Sequence, residues 1–330
     1  MKVMLANLRG FCAGVERAID SVVGALDLFG PPVYVRHEIV HNRHVVEGLR
    51  ARGAEFVEDL AEVPDGAVLV FSAHGVSRNV EAQARARGLT VIDATCPLVT
   101  KVHLEVAQHA RAGRTVFLIG HHDHPEVQGT LGHYSGSGQI SVIESEEDVM
   151  HATAVPGAPV AYVTQTTLSL DDTARIVDAI RARFPQLQGP HKDDICYATQ
   201  NRQRAVRELA QHCDVIIVVG AAHSSNSTRL REIAQACGTP AYLVDSAEWV
   251  ERRWFDRCAV IGVSSGASVP EVLVAELLAT FRRWWPGLTE ESLGQPEQVH
   301  FRLPNALQNA RRRDASTTRS VRSGADDARP

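Results

Sequence analysis

The sequence is poor in several features that mark large protein classes. Aromatic residues make up 5% of its 330 positions and Met occurs three times. The four Trp, at 249, 254, 284 and 285, read as packing anchors and not as a base-stacking platform. No long hydrophobic run is present: the longest apolar-and-small stretch, Val215 to Ala222, is far short of the ~20 residues that span a bilayer. The segment Met1 to Phe11 is broken by Asn7 and Arg9 and lacks the apolar centre of an export signal. Positive charge is not in excess: 34 Lys and Arg against 39 Asp and Glu give −5, which argues against a dedicated nucleic-acid binder. Six cysteines, at 12, 96, 196, 213, 237 and 258, form no C-x-x-C and are too sparse for a disulfide framework. A cytoplasmic, reducing compartment is therefore expected, with thiols free or bound to metal and no membrane or nucleic-acid partner.

What remains is a regular alternation. Short β-rich runs, among them Val33–Arg36, Val68–Ser72, Val116–Ile119, Val160–Thr164 and Val215–Val219, are separated by stretches of helical period. The clearest follows Cys12, where Val15, Ala18, Ile19, Val22, Val23 and Leu26 share one helix face. Such alternation predicts an α/β fold of mostly parallel sheets with helices packed on them. Cysteines just before predicted helices at 12, 96 and 196 suggest three α/β units: a first lobe over 1–96, a second over 97–195 and a third over 196–285. A C-terminal extension over 286–310 follows. Residues 311–330, with six Arg and three Asp among small residues, read as a disordered basic tail. The charged run from Arg202 to Glu208 reads as a solvated helix face.

Cys12, Cys96 and Cys196 share one context, each at or just before a helix N-terminus. Unpaired N–H groups and the helix dipole there favour a thiolate, the form that binds iron–sulfur clusters and soft metals. Three unrelated buried cysteines are the competing reading, and Cys213, Cys237 and Cys258 fit it. A four-iron cluster normally takes four cysteines, so three would leave one iron open, and an open position marks a catalytic metal site. Polar loops follow the apolar strands: His37–Asn42, Ser72–Val76, Gly120–Glu126, Thr164–Thr167, His223–Ser227 and Ser264–Ser268. In open parallel sheets ligands bind beyond the carboxyl ends of the strands, and these neutral donors suit a phosphate or diphosphate. His124 and Glu126 flank Pro125 and make a plausible proton relay, while His121, His122, Asp123 and His124 equally suit a divalent metal.

Together, Leu5–Val15, Tyr34–Asn42, Phe71–Val76, Asp93–Lys101, Ile119–Gly129, Thr164–Leu168, Lys192–Arg202 and Ser224–Ser227 resemble the LytB/IspH family of 4-hydroxy-3-methylbut-2-enyl diphosphate reductases. The resemblance implies three similar α/β lobes around a central [4Fe-4S] cluster held by Cys12, Cys96 and Cys196, with the fourth iron open to the substrate's allylic oxygen. It implies that His41, His74 and His124 bind or protonate the diphosphate, that Ser224, Ser225, Asn226 and Ser268 complete its pocket, that Thr166 orients the hydroxyl and that Glu126 delivers protons. The implied reaction is a two-electron reductive dehydroxylation of the allylic diphosphate to isopentenyl and dimethylallyl diphosphate, the last step of the non-mevalonate (MEP/DOXP) isoprenoid pathway. The electron donor would be a ferredoxin or flavodoxin. The chain departs from the family pattern at Ala221-Ala222-His223, where many relatives carry Lys and Asn, and at His122-Asp123. Two further functions remain open at this point. One is a divalent-metal phosphohydrolase built on His121, His122, Asp123 and His124. The other is a non-catalytic iron–sulfur redox sensor with the basic tail as its contact arm.

Overall fold

The computed structural model describes residues 1–312, so the expected tail lies, from 313 onward, outside the described residues. The strands are β1 (Lys2–Ala6), β2 (Val33–Arg36), β3 (Ala54–Val57), β4 (Val68–Phe71), β5 (Thr90–Asp93), β6 (Thr115–Ile119), β7 (Ile140–Ile143), β8 (Val160–Thr164), β9 (Val215–Val219), β10 (Ala241–Val244), β11 (Val260–Ser265) and β12 (Thr289–Leu293). The helices are α1 (Ala13–Phe29), α2 (Arg43–Arg50), α3 (Arg78–Ala86), α4 (Pro97–Arg111), α5 (Pro125–Leu131), α6 (Glu146–His151), α7 (Leu170–Arg183), α8 (Tyr197–Ala210), α9 (Ser225–Ala236) and α10 (Glu271–Trp284). Residues 305–312 add a further helix.

The strands form three sheets, ordered β3-β2-β4-β5, β7-β6-β8 and β10-β9-β11-β1-β12. Every pairing between them is parallel. The central strands explain why: β6 (TVFLI) and β9 (VIIVV) are buried at every position, which requires apolar cover on both faces, and crossover helices supply it. Three sheets, each with its own apolar core, are the three α/β lobes expected.

The chain does not keep to the expected boundaries. β1 lies not with the sheet that follows it but in the five-stranded sheet, between β11 and β12. Its buried residues Val3 and Leu5 pack with Ile217, Val263 and Phe281. Only α1 then crosses to the first sheet, burying Val15, Ala18 and Val22 against Val33, Val35 and Val70. At the other end β12, placed by sequence in the C-terminal extension, completes the same five-stranded sheet. Residues 311 and 312, expected in the tail, are helical. No helix among the described residues is long and apolar enough to cross a membrane.

Candidate active site

The three shared-context cysteines are the N-cap residues of α1, α4 and α8. Each carbonyl accepts the first intrahelical bond, from Glu16, Thr100 and Gln200 at 3.0, 2.9 and 3.0 Å. Each backbone N–H is bonded to a loop beyond a different sheet: Cys12 to Ala267 O (3.2 Å), Cys96 to Ala73 O (3.0 Å) and Cys196 to Thr166 O (3.0 Å). The three cysteines thus stitch the carboxyl ends of the three sheets together at one point. A Cβ on Gly14 would lie 2.7 Å from Cys96 Sγ and 3.8 Å from Cys12 Sγ, so only a bare backbone allows those two side chains to close on α1. Cys213, Cys237 and Cys258 lie elsewhere, beyond the ends of α8 and α9 and just before β11.

The sulfur environment fits an iron–sulfur group. Burial pushes the Cys96 thiol up to about 12 and the Cys196 thiol to about 11, and the neighbouring Cys12 adds to both. The N–H groups of Leu98 and Val99 pull Cys96 the other way, as do the Thr199 hydroxyl (3.2 Å) and N–H (3.4 Å) for Cys196. The buried Cys96 and Cys196 sulfurs become thiolates readily only beside a cation, and the helix N-termini they cap add positive potential.

The same cavity is lined by Cys12, Cys96 and Cys196 and by His41, His74, His124, Glu126, Thr166, Ser224, Ser225, Asn226 and Ser268. Every expected site residue therefore faces one space. His41 and His74 stack with ring centroids 4.3 Å apart, and His124 stands edge-on to both at 5.4 and 5.6 Å. Burial, then the charge of its histidine neighbours, lowers His124 to about 3 and holds His74 well below the usual imidazole range. His124 caps α5, its Nδ1 accepting from Glu126 N–H at 3.1 Å. Gly75, at φ +78°, turns the chain beside His74 where a Cβ would meet His103.

Glu126 is buried, and both its oxygens are held by one residue: Thr166 N–H donates to Oε1 at 2.6 Å and Thr166 Oγ1 to Oε2 at 2.9 Å. Burial raises its carboxyl to about 7 against the lowering effect of those two bonds. The opposite wall is the N-terminus of α9, capped by Ser224. Among the described residues the Nδ2 and Oδ1 atoms of Asn226 there, and the Nε2 of His41 facing the same cavity, are buried without partners. Buried polar atoms of that kind await a polar ligand. Ser225 Oγ touches Thr167 Oγ1 (3.2 Å), and Ser268 Oγ donates to His41 O (3.0 Å), tying neighbouring loops across the pocket.

The three lobes explain this convergence, and similarity to known proteins gives the chain a family. Residues 3–282 match the family described as LytB protein. The chain belongs to the LytB family. It is 58% identical over 309 residues to the 4-hydroxy-3-methylbut-2-enyl diphosphate reductase of Pseudomonas putida (strain W619), covering 93% of this chain and 98% of that protein. Identity to the enzyme of the same name from Hahella chejuensis is also 58%, over the same shares of both chains. Among solved structures it is similar to the E-1-hydroxy-2-methyl-but-2-enyl-4-diphosphate reductase from Plasmodium falciparum, with TM-score 0.89 and 37% identity over 94% of this chain and 98% of that one. A structure of (E)-4-hydroxy-3-methyl-but-2-enyl diphosphate reductase, at 33% identity, gives a TM-score of 0.63.

Two sequence readings are corrected by the geometry. His121, His122, Asp123 and His124 do not converge on a metal: His124 turns into the pocket, His121 faces Glu144 (3.5 Å) and Arg229 (3.4 Å), and the His122 N–H bonds Glu144 (2.6 Å). Among the described residues the metal-ligating atoms that do cluster belong to Glu38, His41 and His223. Of the charged run from Arg202 to Glu208, Arg204 and Glu208 are exposed as expected, but Arg202 and Gln203 are fully buried. Gln203 holds the Leu168 carbonyl (2.7 Å) and Leu170 N–H (3.2 Å), while Arg202 holds the loop before Cys12. The pocket is also lined by Thr167, from the polar loop Thr164–Thr167, and by Thr199, which that pattern does not include. Thr199 had a signal: it stands three residues after the N-cap Cys196, where a side chain closes the first helical turn.

Proposed function

We propose that this chain is an iron–sulfur reductase that removes the hydroxyl of 4-hydroxy-3-methylbut-2-enyl diphosphate. Two electrons and two protons convert the substrate to isopentenyl or dimethylallyl diphosphate and water. The observation that carries the reading is the single cavity shared by the three helix-capping cysteines, the buried Glu126–Thr166 pair and the polar cradle at α9. Cys12, Cys96 and Cys196 would hold a [4Fe-4S] cluster, and LytB-family membership brings iron–sulfur chemistry with it. When bound, the cluster supplies one-electron transfer and a Lewis-acidic iron, which no side chain provides.

The remaining work falls to the chain's own groups. His41 Nε2, the Asn226 amide, the hydroxyls of Ser224, Ser225 and Ser268 and the N–H groups of α9 bind the diphosphate, with His74 and His124 beside them. Anion recognition there is local: it uses no Lys or Arg, which is why a net charge of −5 is compatible with an anionic substrate. Glu126, with a carboxyl near 7, keeps a substantial protonated fraction at neutral pH and can give that proton to the departing oxygen. Thr166 fixes that carboxyl with both its N–H and its hydroxyl. The electron donor would be a small redox protein of the ferredoxin or flavodoxin class, with the cytoplasm as the compartment.

The deciding experiment is anaerobic iron and sulfide analysis with visible spectra of the isolated protein. Iron and sulfide in comparable amount, lost in Cys96→Ser and retained in Cys213→Ser, Cys237→Ser and Cys258→Ser, support the assignment. Stoichiometric zinc without sulfide overturns it.

A further inference from the structure

The chain after β12 crosses the molecule as an extended strap. It is fastened at one end to the five-stranded sheet, where Asn7 donates from N–H to Leu293 O (2.8 Å) and from Nδ2 to Gly294 O (2.7 Å). At the other end Leu307 is fully buried in the core beneath α1. Between these anchors the strap touches two guanidinium groups, and each of them grips the backbone just ahead of a cysteine. Arg202 donates to Gly10 O (2.7 and 3.2 Å) and Phe11 O (3.3 Å), ahead of Cys12, and pairs with Glu297 of the strap at 3.0 and 3.1 Å. Arg17 donates to Thr95 O (2.9 Å) and Asp93 O (3.3 Å), ahead of Cys96, and to the strap carbonyl of Arg302 (2.8 Å).

We infer that this strap locks the Cys12 and Cys96 loops, with Arg202 and Glu297 as positioning residues for whatever those cysteines bind. A fully buried guanidinium holds its place only if its charge is matched and its donors are used. Among the described residues Glu297 is the carboxylate that matches Arg202, and Ala198 O (3.0 Å) within α8 and the carbonyls ahead of Cys12 use the remaining donors. Remove Glu297, and Arg202 is free to leave those carbonyls for water, so the Cys12 loop loses its outer support. Groups that orient a metal ligand from behind affect metal retention strongly. The inference rests on the reading of Cys12 and Cys96 as ligands, but the strap contacts are independent of it.

The test uses Glu297→Ala and Glu297→Gln in the full chain, with Glu290→Gln as a control at an exposed pair in β12 (Arg282 to Glu290, 2.7 Å). In anaerobically prepared holoprotein, iron loss to a ferrous chelator is expected to be about tenfold faster in Glu297→Ala, smaller in effect in Glu297→Gln and unchanged in Glu290→Gln. In metal-free protein, amide exchange should rise at residues 9–13 while β6 keeps its protection. Wild-type iron retention in both folded Glu297 variants, or exchange rising equally in β6, overturns the lock. If the wild type holds no iron, the ligand reading fails, and the exchange experiment still decides the strap.

Discussion

Glu126 lines the pocket and Glu38 stands behind His41, outside that lining, and the two carboxyls are driven in opposite directions. Glu126 is 3% exposed and meets only neutral donors, so burial dominates and its carboxyl rises to about 7. Glu38 is half-buried behind His41, and its Oε2 lies between two imidazole nitrogens, His41 Nδ1 at 3.2 Å and His223 Nε2 at 3.0 Å. Its hydrogen bond to His41, then the bond to His223, lowers it against burial. One chemical group is thus favoured as the neutral acid in one setting and as the anion in the other. The fixed anion has a use: with Glu38 accepting at Nδ1, His41 is held with its unpartnered Nε2 turned to the pocket.

The largest effect should come from removing the proposed proton source. Glu126→Gln keeps the shape and one acceptor for Thr166 but carries no acidic proton. Its kcat should fall by about 10²–10⁴-fold with substrate binding retained, measured by anaerobic turnover and by equilibrium binding. Turnover at the wild-type rate would break the comparison at its first term. The sign of the pH dependence follows from the raised carboxyl. The acid form persists to about pH 7, so wild-type kcat should fall as pH rises through that value, and the variant's residual rate should not. The folded state holds a proton there that the unfolded chain has released. Stability from this group is therefore full below pH 4.5 and lost as pH rises to about 7, on the order of 3 kcal/mol across the window. Denaturant titrations at the two ends should show that loss in wild type and not in Glu126→Gln.

Removing the anion should cost less and affect a different constant. Glu38→Gln keeps an acceptor but not the charge beside His41. Partly exposed ion pairs are worth up to about 1 kcal/mol, so KM should rise roughly two- to fivefold while kcat stays near wild type. A fall in kcat with unchanged KM would mean that Glu38 belongs to the proton chemistry, and the contrast between the two carboxylates would collapse.

The two sides also differ in how far the sequence revealed them. Glu126, His124 and Thr166 sit in loops after strands whose apolar runs are plain to read, and β6 and β8 lie where their residues predict. The cysteines were legible for the same reason, because helix starts carry local signals. The strands that went unread are β3, β7 and β12, and each is at a sheet edge. An edge strand is covered on fewer sides, so its residues need not be apolar: β12 reads TEESL and is mostly exposed. Long-range pairing was equally hidden. Arg202 looks solvated because its carboxylate is Glu297, far along the chain in an irregular segment. Glu38 meets His223 only because loops after β2 and β9, from different sheets, close on one another.

That last contact gives the smallest and most discriminating prediction. The His223 side chain is 55% exposed. It is the outer of the two imidazoles on Glu38, since His41 reaches the pocket and His223 does not. If His41 alone carries the anion's effect to the substrate, His223→Asn should change KM by less than about twofold, because an exposed pair contributes little and salt screens it. The residual change should vanish in high salt, whereas the Glu38→Gln effect should persist in part, because the His41 contact is the more buried one. Measuring KM for both variants at low and high ionic strength separates these outcomes. An effect of His223→Asn as large as that of Glu38→Gln would show instead that Glu38 acts through the His223 bridge between two lobes, and that closing the pocket mouth, not orienting His41, is what the fixed anion does.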